Sequence, residues 1–109
     1  MIGVKDAKLE DHSNEVIRAF KIQMERGLKA IGEKAVGYAK TPIANGGDMP
    51  VDTGRLMNSV DHEEDESAVY IGTNVEYAPV QENIHHFLKN AAANHGDEYK
   101  KIMETSLKS

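Results

Sequence analysis

The sequence predicts an α+β fold: a long N-terminal helix, a small antiparallel sheet with an acidic hairpin tip, and a C-terminal helix. Three observations predict it. Apolar residues recur in steps of three and four from Ile17 to Tyr38, which marks one face of an α-helix. The run Ala68-Val69-Tyr70-Ile71-Gly72 alternates as a strand does, and it follows a cluster of acids suited to a turn. Helical spacing then returns from Leu88 to Met103. By length the chain is one domain, residues 1–109.

Residues 1–12 are mixed and charged, without a period. The first helix is expected from about Ser13. Ser13 or Asn14 can cap it by accepting a backbone N–H bond, and Glu15 suits the positive end of the helix dipole. Its apolar face is Ile17, Phe20, Met24, Leu28, Ile31, Ala35 and Tyr38. Thr41-Pro42 ends it, because Pro disfavours helix in the residue before it. Such a helix is about 40 Å long, against a radius of gyration near 13 Å for a compact chain of this size, roughly. It therefore spans the domain and protrudes, or it bends. Gly27, Gly32 and Gly37 are soft points or places of close approach. The plainer reading is that each only weakens the helix, by roughly 1 kcal/mol.

Residues 41–50 read as a flexible surface loop, since two Pro, two adjacent Gly and an Asn-Gly pair break both periods. Asp52 or Thr53 is expected to cap a short helical turn running to about Asn58. Val60 opens a strand that dissolves into the acids. Asp61, Glu63, Glu64, Asp65 and Glu66, around His62, then form the hairpin tip in water. Asn74 begins a turn, and Val75–Ala78 is expected as a further short strand ended by Pro79. The last helix carries Leu88, Ala91, Ala92, His95, Tyr99, Ile102 and Met103 on one face, interrupted by Gly96. Lys100, Lys101 and Lys108 fit the negative pole of its dipole.

Composition narrows the function classes. With no Trp and two Phe the core is thin, so help from neighbouring subunits is expected. There is no Cys, which excludes disulfides, thiolate metal sites and a Cys nucleophile. No apolar run approaches the roughly 20 residues that span a bilayer, and MIGVKDAKLED turns charged at once, unlike a signal peptide. The chain is expected to fold in the cytoplasm. Net charge is −5, and the five acids of residues 61–66 account for all of it. A nucleic-acid-gripping domain needs a basic stripe instead.

Asp52-Thr53-Gly54 is the triplet of aspartic proteases, in which two carboxylates share a proton and activate a water. That chemistry needs the triplet at the end of an apolar strand in a nearly all-β chain. Here Pro50-Val51 precedes it, Arg55 follows, and a long helical pattern lies upstream. The triplet reads as a helix cap, with Gly54 allowing a tight turn or close packing. His85 and His86 are adjacent and point apart, with no ligand at i+4. His62 beside Glu63 and Glu64 holds a cation loosely at most. No phosphate loop, nucleophile elbow or HExxH is present. Nothing assembles nucleophile, base and oxyanion donor. Neither enzyme activity nor a cofactor or metal is expected.

Read together and in order, the boxes from residue 50 to residue 92 resemble one family, the gene-product-ten-like tail components of long-tailed bacteriophages and prophages. The resemblance rests on Asp52, Thr53, Gly54, Leu56 and Ser59, with Arg55 inside that box. It continues through Gly72-Thr73, Tyr77-Ala78-Pro79, Glu82 and Phe87-Leu88. The chain departs from the pattern at Asn83-Ile84, where many relatives carry Gly-Thr, and at His86, where they carry Pro; the stretch 79–87 is shortened.

What the resemblance implies is a structural virion protein of the neck or tail, active in tail completion or head–tail joining. It implies a homo-oligomeric ring around the DNA channel, other neck or tail proteins as partners, and DNA only as passing cargo. No membrane is involved, and the protein joins the virion after folding in the host cytoplasm. Ile17, Phe20, Met24, Leu28, Ile31 and Tyr38 would then serve helix packing or an oligomer face. The acidic tip would face the channel, dock on a basic surface of the next neck protein, or stand in water with no role. The alternative class is a small cytoplasmic binding or regulatory domain without catalysis, such as an antitoxin-like partner.

Overall fold

The computed structural model describes residues 6–50 and 54–108, with side chains from residue 14 onward. The fold is α+β. Helix α1 (Asp6–Ala39) runs unbroken for 34 residues, about 51 Å. The molecule measures 62 × 24 × 19 Å, with a radius of gyration of 18.6 Å. The long helix therefore protrudes rather than bends. It also starts earlier than Ser13: Ala7, Lys8, Leu9 and Glu10 are strong helix formers and carry it back to Asp6. Ser13 and Asn14 lie inside the helix, so the expectation that either caps it is corrected. Its end agrees with the sequence. Thr41 Oγ1 donates to the Gly37 carbonyl at 3.0 Å, and Pro42 follows.

The segment after α1 is not a loose excursion. Ile43–Asn45 form a 3-10 turn closed by Gly46 in the left-handed region. Backbone bonds of 3.1 Å from Ile43 N to Met49 O and from Met49 N to Thr41 O tie its two ends together. Met49 is fully buried, so an apolar plug anchors a segment whose Gly and Pro content hid it. Helix α2 (Arg55–Ser59) begins after Gly54, which sits at φ 80° in the N-cap position. Asp52 and Thr53, expected as its caps, lie outside the described residues.

Strands β1 (Asp61–Glu64) and β2 (Val69–Gly72) pair antiparallel, with Asp61 opposite Gly72 and Glu64 opposite Val69. The acidic run is thus half strand and half turn, which corrects the expectation of a tip from Asp61 to Glu66. Alternation explains it. Asp61 and Glu63 face water while His62 and Glu64 turn inward, half-buried, and pair with each other against α1. Gly32 makes room for them: a Cβ there would stand 2.6 Å from His62 Nδ1. Gly27 plays the same part toward the C-terminal helix, where a Cβ would meet Met103 Sδ at 2.8 Å. At these two positions the plainer reading of glycine as mere weakness is overturned.

Val75–Ala78 is a turn, closed by Ala78 N to Val75 O at 3.0 Å, and not a strand. Pro79 opens helix α3 (Ala78–His85) instead of ending an element, because the first helical turn needs no N–H from it. The last helical stretch is two pieces, α4 (Phe87–Ala93) and α5 (Gly96–Lys108), broken at Asn94-His95. Helix α5 doubles back along α1, tied through Glu98 to Tyr38 near one end and through Ser106 to the Gln23 carbonyl at the other. The core gathers at the C-terminal end of α1, where Ala39, Met49, Leu56, Val60, Val75, Ala78, Phe87 and Ala91 pack together. Phe87 is its largest fully buried side chain, together with Met49. Each such burial is worth about 1.5–3 kcal/mol.

Candidate functional site

The sequence boxes come together as scaffold. Leu56, Ala78 and Phe87 are neighbours in the core, with Tyr77 and Leu88 packed against it. Ser59 Oγ donates to the Leu56 carbonyl at 2.7 Å, so its single proton is spent, and Thr73 must be the donor in the Ser59–Thr73 hydroxyl pair. Thr73 Oγ1 in turn accepts Val75 N at 3.2 Å. That chain of bonds joins the end of α2 to the end of β2. Glu82 accepts Leu88 N at 2.8 Å and Lys89 N at 3.0 Å, which satisfies free N–H groups at the start of α4. Arg55 reaches Glu76 at 3.7 Å and lies 5.6 Å over the Tyr77 ring. Gly72 and Pro79 shape backbone at the ends of β2 and α3. Every one of these polar groups is occupied in holding elements together.

A second polar group locks α5 to α1. The Tyr38 ring lies flat on His95, centroids 3.5 Å apart. Its hydroxyl donates to Glu98 Oε2, while Lys34 reaches Glu98 Oε1 at 3.4 Å. The bond to the carboxylate pushes the Tyr38 pKa up to about 12. The same bond, helped by Lys34, holds Glu98 below the usual carboxylate range. Burial and then the Glu98 charge raise Tyr99, whose hydroxyl donates to the Ala91 carbonyl. Neutral phenol and charged carboxylate suit each other, which stabilises the group. In the sequence Tyr38 reads only as part of an apolar face. The signal was present in His95, Glu98 and Tyr99, which share one face of a helix at i, i+3 and i+4.

The turn of the hairpin is also built by charge. Asp65 Oδ1 accepts Ser67 N and Ala68 N, both at 2.8 Å, and Oδ2 accepts the Tyr70 hydroxyl at 3.0 Å. The backbone bond from Ser67, then the Tyr70 hydroxyl, lowers the Asp65 pKa. Glu63 and Glu66 remain exposed. Among the described residues no group of three or more His, Asp or Glu is placed to hold a metal ion, and no helix is long and apolar enough to cross a membrane.

What is left uncovered is the arm. Before Gln23, α1 runs past the end of α5. The apolar face splits there: Leu28 and Ala35 are buried, Met24 and Ile31 are half-buried, and the residues beyond are open. Val16 is 65 % exposed, Ile17 52 % and Phe20 48 %. They floor a groove of about 480 Å³ that ends against Glu66 and Ser67 of the hairpin turn. A second apolar pair, Val80 and Ile84, stands one turn apart on the outside of α3. Contiguous apolar surface of this kind marks a contact site more often than isolated exposed residues do.

Comparison of the chain with protein-family models, with curated proteins and with solved structures finds no match.

Proposed function

We propose that this chain is a structural protein of the phage neck or tail. It completes the tail or connects it to the head by assembling with its own copies as a ring around the DNA channel. The observation that carries the reading is the projecting arm of α1, whose apolar face continues the core stripe and stays largely exposed at Val16, Ile17 and Phe20. Helices in proteins draw most of their stability from packing of an apolar face, and burial of Val16, Ile17 and Phe20 against another subunit supplies it to the arm. The resemblance of residues 50–92 to phage tail components supplies the class of assembly. Among the described residues, Ser59, Thr73 and Glu82 of those boxes act as scaffold, which supports a non-catalytic role. Partners are then other copies and further neck or tail proteins, with DNA as cargo, and the mature location is the virion.

Native mass spectrometry over a concentration series, with negative-stain imaging of the same samples, tests it. The expected result is one closed oligomer with a central opening. A monomer at every concentration, with heads and tails joining normally after deletion of the gene, overturns it. The alternative is a small binding or regulatory domain whose arm groove takes one amphipathic helix of another protein. It predicts a monomer that forms a one-to-one complex.

A further inference from the structure

We propose that the seam between α1 and α5 of one subunit receives the acidic hairpin of a second copy of this chain. The inference rests on the assembly reading above and names the contact. On the outer side of that seam, Ala30 and Ile102 floor an open groove of about 460 Å³, and Arg26 and Lys101 stand at its walls. Both cations are exposed, and among the described residues neither forms an ion pair. The one carboxylate in the groove, Glu98, is already held by Tyr38 and Lys34. Two such positive charges over an apolar floor fit an acidic segment with some apolar content.

The chain carries such a segment. Glu63 and Glu66 are exposed beside Tyr70, whereas Asp65 is occupied in the turn and Asp61 by the His62 N–H at 2.8 Å. The hairpin cannot reach the seam of its own molecule. It sits on the Gly32 side of α1, and Ala30, two residues away, lies about 200° around the helix. Tip and seam are therefore on opposite flanks. A contact between opposite flanks is heterologous: each subunit gives its hairpin to one neighbour and takes that of another, which closes as a ring when the rotation allows. Because the charges are at the surface, the contact weakens with salt as the screening length falls from about 10 Å at 0.1 M to about 3 Å at 1 M.

Charge-reversed pairs test this directly. One variant carries Glu63→Lys with Glu66→Lys, and the other carries Arg26→Glu with Lys101→Glu. All four side chains are exposed, so both variants are expected to melt as the wild type does. In sedimentation experiments each variant alone is expected to self-associate at least tenfold more weakly than wild type. An equimolar mixture is expected to regain association, because alternating copies pair reversed hairpin with reversed seam at one joint and native hairpin with native seam at the next. Folded variants that assemble as well as wild type overturn the hairpin-to-seam contact and leave the ring reading standing. A mixture that forms no mixed dimers or longer chains overturns the contact too. Wild-type protein that is monomeric throughout overturns both. Should a Lys variant fold poorly, Glu63→Gln with Glu66→Gln replaces it: assembly that keeps the salt dependence of wild type overturns the contact, and loss of that dependence supports it.

Discussion

A carboxylate near the end of one helix holds the start of the next. Glu82 in α3 takes the Leu88 and Lys89 N–H groups, which α4 otherwise leaves without partners. Glu82→Ala should cost about 0.5–2 kcal/mol in urea unfolding, and an unchanged midpoint would remove the capping role. His86, between those helices, has φ 53° and donates its N–H to the Glu82 carbonyl at 2.8 Å. A Pro there, fixed near −65° and without an N–H, cannot form this joint, roughly; His86 is thus part of the geometry that joins the two helices. Tyr38 gives a pH test. Its pKa is about 12 when folded against 10.0 for the free side chain, so the fold favours the neutral phenol. That contribution is whole below about pH 10 and is lost as pH rises toward about 12. Glu98 is depressed, so its contribution is present above the ordinary carboxylate range and is lost as pH falls through the lowered value. Urea midpoints of wild type and Tyr38→Phe should converge between about pH 10 and 12. Parallel curves over that window would sink the assignment.

Among the elements, glycines in α1 separate packing from propensity. At Gly32 an added Cβ meets the His62 ring and the Glu64 carboxylate, at 2.6 and 3.0 Å. At Gly37 it meets nothing within 4 Å. Gly37→Ala should therefore stabilise by about 0.5–1 kcal/mol, while Gly32→Ala should destabilise despite the same gain in propensity. Thermal melts that shift the same way for both would remove the close approach of hairpin and helix. The long helix and the β2 strand were legible in the sequence because each keeps a clean period. Strand β1 was not, since Asp61, His62, Glu63 and Glu64 show no apolar alternation. Its inward pair, His62 and Glu64, satisfies itself and so tolerates being half-buried. Helix α3 was missed for a different reason. Pro79 reads as a stop after a strand and as a start before a helix, and only the tertiary setting decides.

For the whole molecule, the stripe from Ile17 to Ala35 was legible, but not where its cover ends, because that depends on how far α5 travels along α1. The division has a measurable consequence. Ile17→Ser with Phe20→Ser changes residues that touch little of the subunit itself. The monomer should keep its stability within about 0.5 kcal/mol while self-association falls. Unfolding of the double variant would show instead that the arm belongs to the core. The bond from Ser106 to Gln23 spans 83 residues of sequence. At about 5–20 residues per second, α1 waits roughly 4–17 s on the ribosome before α5 emerges to cover Gly27. During that wait the side of α1 that α5 will cover is bare, and neighbouring nascent chains on the same message are its nearest wrong partners. Slowed translation ahead of α5 should then raise aggregation of newly made chains, though the finished protein is identical.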